Sequence, residues 1–297
     1  MLVHARPLSS QGGAEHSLRY HVEHRPPGID VEVVPPDANP ALENYDVVVL
    51  ANLRPEGGLG EEAEVKWVKK WAYMCRDFSG FSLKSERDIH PCAHRDARCV
   101  AMDPVRKLEC GCGPLIPAEM ERLYNSCSAV QFLSPAHQEV INCLVKVRSR
   151  QVVIGVPVDE TKFKVTVPLE QRPPKALIIG DEIRVSPEAE SIAITHGLEP
   201  EFIPYHSVPY DKMPDLLNRY QALILYPLMF HAFGRLAVEA KLCGCQVIAS
   251  NRVGAFSWEA PVAAAINANQ QFWSLILDNA RPVSKGCHPL RKRFWRW

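Results

Sequence analysis

Short apolar runs, rich in β-branched residues, recur along the chain at Val31–Val34, Asp46–Ala51, Ala129–Leu133, Val152–Val156, Ala176–Gly180, Ala222–Tyr226 and Gln246–Ser250. Stretches of helical period separate them. Continuous apolar strands alternating with helices predict parallel sheets covered on both faces. Between Ile154 and Pro174 the chain carries Pro157, Pro168, Pro173 and Pro174, which suits an extended connection. A boundary there gives two α/β domains, residues 1–165 and 166–297. Doubly wound sheets bind ligands beyond the carboxyl ends of their strands, so the expected architecture is two Rossmann-like domains facing a cleft. Only Met1–Ala5 is available for the first strand, before the loop Arg6–Gly13.

The segment Tyr226–Ser250 reads as strand end, loop, helix, turn and strand. Phe233, Leu236, Ala237 and Ala240 fall at i, i+3, i+4 and i+7 and define a buried helix face, with Gly244 as the stop. Gly234, placed in the first turn, leaves room for an anion at the free N–H groups and positive end of the helix dipole. Glu239 lies five residues on, about 7.5 Å along the axis. That is roughly the reach from a diphosphate to its ribose, whose paired hydroxyls suit a carboxylate.

The same words, F-G-R-x-x-x-E-A and then C-G-C-Q-V-I-A-S, resemble the signature of the retaining glycosyl transferases group 1 family, in which E-x7-E is followed by G-x-P-V-I-A-S. Glu239 matches the second glutamate, which in that family holds the nucleotide ribose. His231 stands where the first glutamate contacts the donor sugar, and Gln246 replaces the usual proline. Further ordered matches are Gly12-Gly13-Ala14-Glu15 to a G-G-A-E loop near donor phosphates and acceptor, Phe132–His137 to a strand and helix start, Ile154–Asp159 to an N-G-V-D connector, and Ser250–Gly254 to an S-x-x-G loop. The resemblance implies a GT-B fold, a nucleotide-sugar donor and no metal in catalysis. It makes Gly12, Gly13, Gly180, Arg184, Phe233, Gly234, Arg235 and Glu239 candidate donor contacts. It also places the run Trp71–Asp77 as a strand followed by polar residues at the cleft, with Arg76 and Asp77 as candidates for sugar or acceptor contacts. His231 and Asp77 are the catalytic candidates.

Composition narrows this little further. Lys+Arg and Asp+Glu balance at 34 each, so no overall field favours nucleic acid or membrane as the main partner. No apolar run reaches the roughly 18–20 residues of a membrane span, and the first residues lack the apolar core of a signal peptide, so a cytoplasmic protein is expected. Four of the ten cysteines, Cys92, Cys99, Cys110 and Cys112, fall within 21 residues of an insert at 89–113. Four thiolates can surround a structural zinc ion, although this spacing is not that of a standard finger. Cys127, Cys143, Cys243 and Cys245 sit in apolar contexts and are expected to be packed thiols. The terminal run Arg291–Trp297 mixes cations and aromatics; it suits either a helix packing back across the lobes or peripheral contact with an anionic membrane.

The expected function is transfer of a sugar from a nucleoside-diphosphate donor to an acceptor hydroxyl of a glycan, lipid-linked or small molecule, with retention. The alternative is a non-catalytic protein of the same fold that binds a nucleotide or a partner, which His231 and the short N-terminus favour. A zinc-stabilised interaction module would leave the Tyr226–Ser250 pattern unexplained.

Overall fold

The computed structural model describes residues 1–9, 12–53, 60–87, 115–180, 185–204, 207–228 and 230–280. The first lobe runs β1 (Leu2–Val3), α1 (Gly13–Glu23), β2 (Val33–Val34), β3 (Val47–Leu50), α2 (Gly60–Arg76), β4 (Phe81–Ser85), α3 (Leu115–Ser126), β5 (Ala129–Phe132), α4 (Pro135–Leu144) and β6 (Arg150–Val153). Its strands pair in parallel in the order β2-β1-β3-β4-β5-β6. The order reverses between β1 and β3, and there the flanking loops part and open a crevice at the carboxyl edge. The loop leaving β1 carries Gly12 and Gly13, so the sheet delivers them to that crevice.

The second lobe runs β7 (Lys175–Gly180), α5 (Glu188–Thr195), β8 (Glu199–Pro204), α6 (Met213–Leu217), β9 (Ala222–Leu225), α7 (Arg235–Leu242) and β10 (Gln246–Ala249), then α8 (Pro261–Ile266) and α9 (Ala268–Asn279). Its sheet, β10-β9-β7-β8, is also wholly parallel. The order reverses between β7 and β9, and the loop from β9 into α7 leaves from that point. Two doubly wound lobes are therefore present, as the alternating pattern predicts.

Two strands escaped the hydrophobic pattern. β4 reads FSLKS, yet all five residues are buried, because Ser82, Lys84 and Ser85 find partners inside the lobe. β8 reads EPEFIP and is half exposed at the sheet edge, where no continuous apolar run is required. The strand implied for Trp71–Asp77 is corrected: Trp71–Arg76 is the end of α2. Trp71, Ala72 and Cys75 are buried while Tyr73 and Arg76 face out, a helical period. Among the expected packed thiols, Cys127, Cys243 and Cys245 are buried but Cys143 is exposed on α4.

The lobes are joined by more than the connector. Ser134 caps α4 by accepting from His137 N at 3.1 Å and donates to Ala232 O at 2.7 Å. Trp258 Nε1 donates to Leu133 O at 3.2 Å. The chain then returns, and α9 buries Phe272, Trp273, Leu275 and Ile276 with Leu2, Leu18 and Leu83 of the first lobe. Trp273 Nε1 donates to His21 O at 2.9 Å. Thus residues 268–279, placed with the second lobe by sequence, pack on the first. Among the described residues no helix is long and apolar enough to cross a membrane.

Candidate functional site

At the first crevice Gly12 caps the start of α1, and Glu15 folds back over it. A Cβ at Gly12 would lie 1.8 Å from Glu15 Oε2, whereas one at Gly13 would meet nothing within 4 Å. Glu15 is buried and hydrogen-bonds His4 Nε2 at 3.2 Å. Burial raises the Glu15 pKa, but the His4 hydrogen bond, its own backbone N–H and the charges of His4 and Arg6 prevail and hold it below the usual range. Beneath lies a wholly buried polar layer. Lys84 pairs with Glu86 at 3.1 Å, Tyr124 donates to Glu86 at 2.7 Å, and Arg87 donates to Ser17 Oγ at 2.6 Å and Ser85 Oγ at 3.1 Å. Burial draws the Arg87 pKa down to about 10 against the opposing pull of Glu15 and Glu86. This layer fixes the floor of the crevice.

At the second crevice the loop after β9 is zipped to the loop after β10. His231 N donates to Arg252 O at 2.8 Å, and Gly254 N donates to His231 O at 2.9 Å. Gly254 admits no side chain, since a Cβ would lie 2.4 Å from both Ala232 O and Ser134 Oγ. The motifs Ser134–His137 and Ser250–Gly254, distant in sequence, are thus two halves of one clamp on residues 231–232. The half-buried His231 is held there by its backbone. Phe233 points inward, 2% exposed in the second-lobe core, so only its backbone lines the loop. Gly234 sits just before α7 at φ +82°, and a Cβ there would press on Val253 at 2.6 Å. Glycine is required by this turn and contact as well as by any approaching ligand. Gly180 ends β7 against Val185. Arg184 lies outside the described residues.

Glu239 is not a solvated helix residue. It is 2% exposed and accepts at Oε1 from Arg235 Nε and from the Tyr210 hydroxyl, both at 2.8 Å. Burial and the Glu239 charge push the Tyr210 phenol well up, so it stays protonated and donates. The Tyr210 ring is the hub of the site. His16 of α1 lies 4.1 Å from its centroid, tilted by 33°, while Arg235 and Lys162 lie over it at 4.6 and 4.7 Å. Lys162 is held in place by a turn in which Asp159 Oδ1 accepts from Thr161 N at 3.0 Å and Lys162 N at 3.3 Å, and by Phe163, buried beside it in the second-lobe core. His16 belongs to the first lobe and Tyr210 to the second, so their contact sets the two carboxyl edges face to face.

Sequence reasoning missed His16, Lys162 and Tyr210. His16 follows Glu15 directly, and that adjacency was the one available signal; Lys162 and Tyr210 reach the site only through folding. Asp77 is a correction in the other direction. It follows α2 and precedes β4, which places it at the amino edge of a parallel sheet whose crevice is at the carboxyl edge. It is exposed and paired with Arg76 at 3.0 Å. Cys92, Cys99, Cys110, Cys112 and the run 291–297 lie outside the described residues. Among the described residues no group of three or more His, Cys, Asp or Glu could hold a metal ion.

No family profile matches the chain, and no curated protein matches it in sequence. Solved structures do. A sucrose-phosphate synthase from Thermosynechococcus elongatus superposes with a TM-score of 0.55 at 12% identity, covering 92% of this chain and 89% of its own. HepE of Anabaena, solved in complex with UDP, gives 0.52 at 16% identity, covering 94% of each chain. Likeness at such identities is a likeness of backbone. Together with the two parallel sheets facing across His16 and Tyr210, it establishes that this chain has the GT-B fold.

Proposed function

We propose that the chain is a glycosyltransferase that moves a sugar from a nucleoside diphosphate to an acceptor hydroxyl, retaining the anomeric configuration. The observation that carries this reading is the ion pair of Arg235 with the buried Glu239 on the helix after the second reversal of strand order, opposite the start of α1. A carboxylate there accepts from paired ribose hydroxyls, and the adjoining cations meet the diphosphate. HepE, of the same fold, was solved with UDP, which makes uridine a sensible first base to try.

In the transition state the sugar–oxygen bond lengthens and negative charge gathers on the departing diphosphate. Arg235 and Lys162 supply fixed positive charge to it, which lowers the barrier without reorganisation. His231, clamped between the loops, is assigned to the donor sugar. Its imidazole offers one donor and one acceptor where a carboxylate would offer two acceptors. The Tyr210 hydroxyl donates to Glu239, and the ribose takes its place on binding.

The test is a donor panel with separate readouts of binding and turnover. Nucleotide binding together with release of diphosphate in the presence of an acceptor, or slow donor hydrolysis without one, supports the enzyme. His231→Ala should then depress turnover far more than affinity for bare nucleotide. Binding with neither transfer nor hydrolysis across the panel would instead support a nucleotide-binding protein.

A further inference from the structure

We propose that His16 is a phosphate-binding residue of the cleft: its imidazole takes up a proton from solvent as a nucleotide diphosphate settles between it, Lys162 and Arg235. The inference rests on the nucleotide-binding reading above and adds to it a residue and a proton.

Three observations meet at this ring. First, the imidazole, Lys162 and Arg235 all lie within 4.7 Å of the centre of one phenol ring, so basic groups from α1, the connector and α7 surround the same side chain. Secondly, among the described residues the His16 ring nitrogens make no hydrogen bond; the ring rests tilted against Tyr210, and its backbone N–H donates to Gly12 O at 3.0 Å. Thirdly, the acidic groups around it are already engaged. Glu239 holds Arg235 and Tyr210, Glu15 holds His4, and Asp159 holds the turn of Thr161 and Lys162. Arg235 is thereby set against Glu239, and the Lys162 ammonium remains over the same phenol, beside a half-buried imidazole that can gain a charge.

The charged groups facing His16 are Glu15 and Arg19 from its own helix, Lys162 from the connector and Arg235 from α7. Burial, then Arg235, Arg19 and Lys162, draw its pKa down to about 4, against the weaker opposing pull of Glu15. The free imidazole is thus neutral at neutral pH, and the cations that keep it so are those a diphosphate would neutralise. Once phosphate oxygens sit among them, the repulsion becomes attraction and a protonated ring donates an N–H to phosphate. A neutral histidine avoids adding another cation to Arg235 and Lys162 around the Tyr210 ring. The protonated one supplies that charge when the ligand is present.

Calorimetry in buffers of different ionisation enthalpy tests this directly. UDP-glucose, GDP-mannose and ADP-glucose are suitable probes, because both phosphates are diesters whose own protonation lies far below neutral pH. At about pH 6 the bound complex should take up roughly one proton, the capacity of one imidazole, and affinity should fall several-fold as pH rises to about 8. His16→Gln, which keeps a hydrogen-bonding side chain without a titrating ring, should bind more weakly and show neither uptake nor that pH dependence. As an independent measurement, the His16 ring in the ligand-free protein should titrate by NMR with a midpoint about 4. Binding without proton uptake, uptake that persists in His16→Gln, or a free midpoint near the ordinary histidine value each overturns the inference and leaves nucleotide binding standing. No binding by any of the three probes overturns it together with the reading on which it rests.

Discussion

Two glutamates, Glu15 and Glu239, lie on the helices that follow the two reversals of strand order, and each is 2% exposed. They differ in what holds them. Glu15 is closed over a glycine against His4, above a floor of buried ion pairs and hydroxyls. Glu239 is held by a phenol and a guanidinium that belong to the cleft itself. The first carboxylate is a part of the wall, and its partners cannot leave without opening the core. The second has partners that a ligand can replace or share: its ribose hydroxyls can take the place of the phenol, and its diphosphate can compete for the guanidinium. Burial alone therefore does not distinguish a structural from a binding carboxylate; the replaceability of its partners does.

The largest effect expected of a substitution at neutral pH breaks the comparison at Glu15. Gly12→Ala places a methyl group 1.8 Å from its carboxylate, which must shift away from its buried place beside His4. Overpacking and a broken buried pair together should cost about 3 kcal/mol in denaturant unfolding. Gly13→Ala, with open space around it, should change stability by less than about 1 kcal/mol. Equal effects at the two glycines would show that Glu15 is not fixed.

Acid should act gradually, through a histidine of the same helix as Glu15. His21, on the buried side of α1, has its pKa lowered to about 3 by burial, then by Arg87, partly opposed by its hydrogen bond to Asn269. A folded value below the unfolded one means that the unfolded chain binds the proton first. The stability is then present above the ordinary histidine value, about 6.5, and is lost as pH falls towards about 3, by roughly 1.4 kcal/mol per pH unit. Urea midpoints measured across that window should fall for the wild type and fall less steeply for His21→Gln.

The smallest expected effect sharpens the comparison at Glu239. Tyr210→Phe keeps the ring against His16 and the cations but frees the carboxylate. Nucleotide should bind about fivefold tighter, the equivalent of one net hydrogen bond, near 1 kcal/mol. Weaker binding would mean that the hydroxyl is itself a ligand contact.

Much of this arrangement was legible in the chain. Alternating apolar runs marked parallel sheets, and the spacing from Gly234 to Glu239 marked a helix carrying a carboxylate. Gly244 did stop that helix, at φ +81°, with Cys245 N donating to Ala240 O at 2.9 Å. What pattern could not show is contact between residues far apart in sequence. His16, Lys162, Tyr210 and Arg235 share no period, and only the meeting of two lobes joins them. Polarity hid β4, which carries buried Lys84 and Ser85 because their partners are elsewhere in the chain, and the family resemblance placed a strand at Trp71–Asp77 where Trp71–Arg76 is the end of a helix.

The central claim is that Glu239 receives the ribose of a nucleoside diphosphate, and it can be tested with a single ligand pair. UDP and its 2′,3′-dideoxy counterpart should be titrated calorimetrically into wild type and Glu239→Ala, with folding of the variant verified by circular dichroism. Wild type should prefer the ribose form by about 1–3 kcal/mol, the range for hydrogen bonds to a charged group, and the variant should bind both forms alike. A folded Glu239→Ala that keeps the full preference, or a wild type that binds UDP with none, would contradict it.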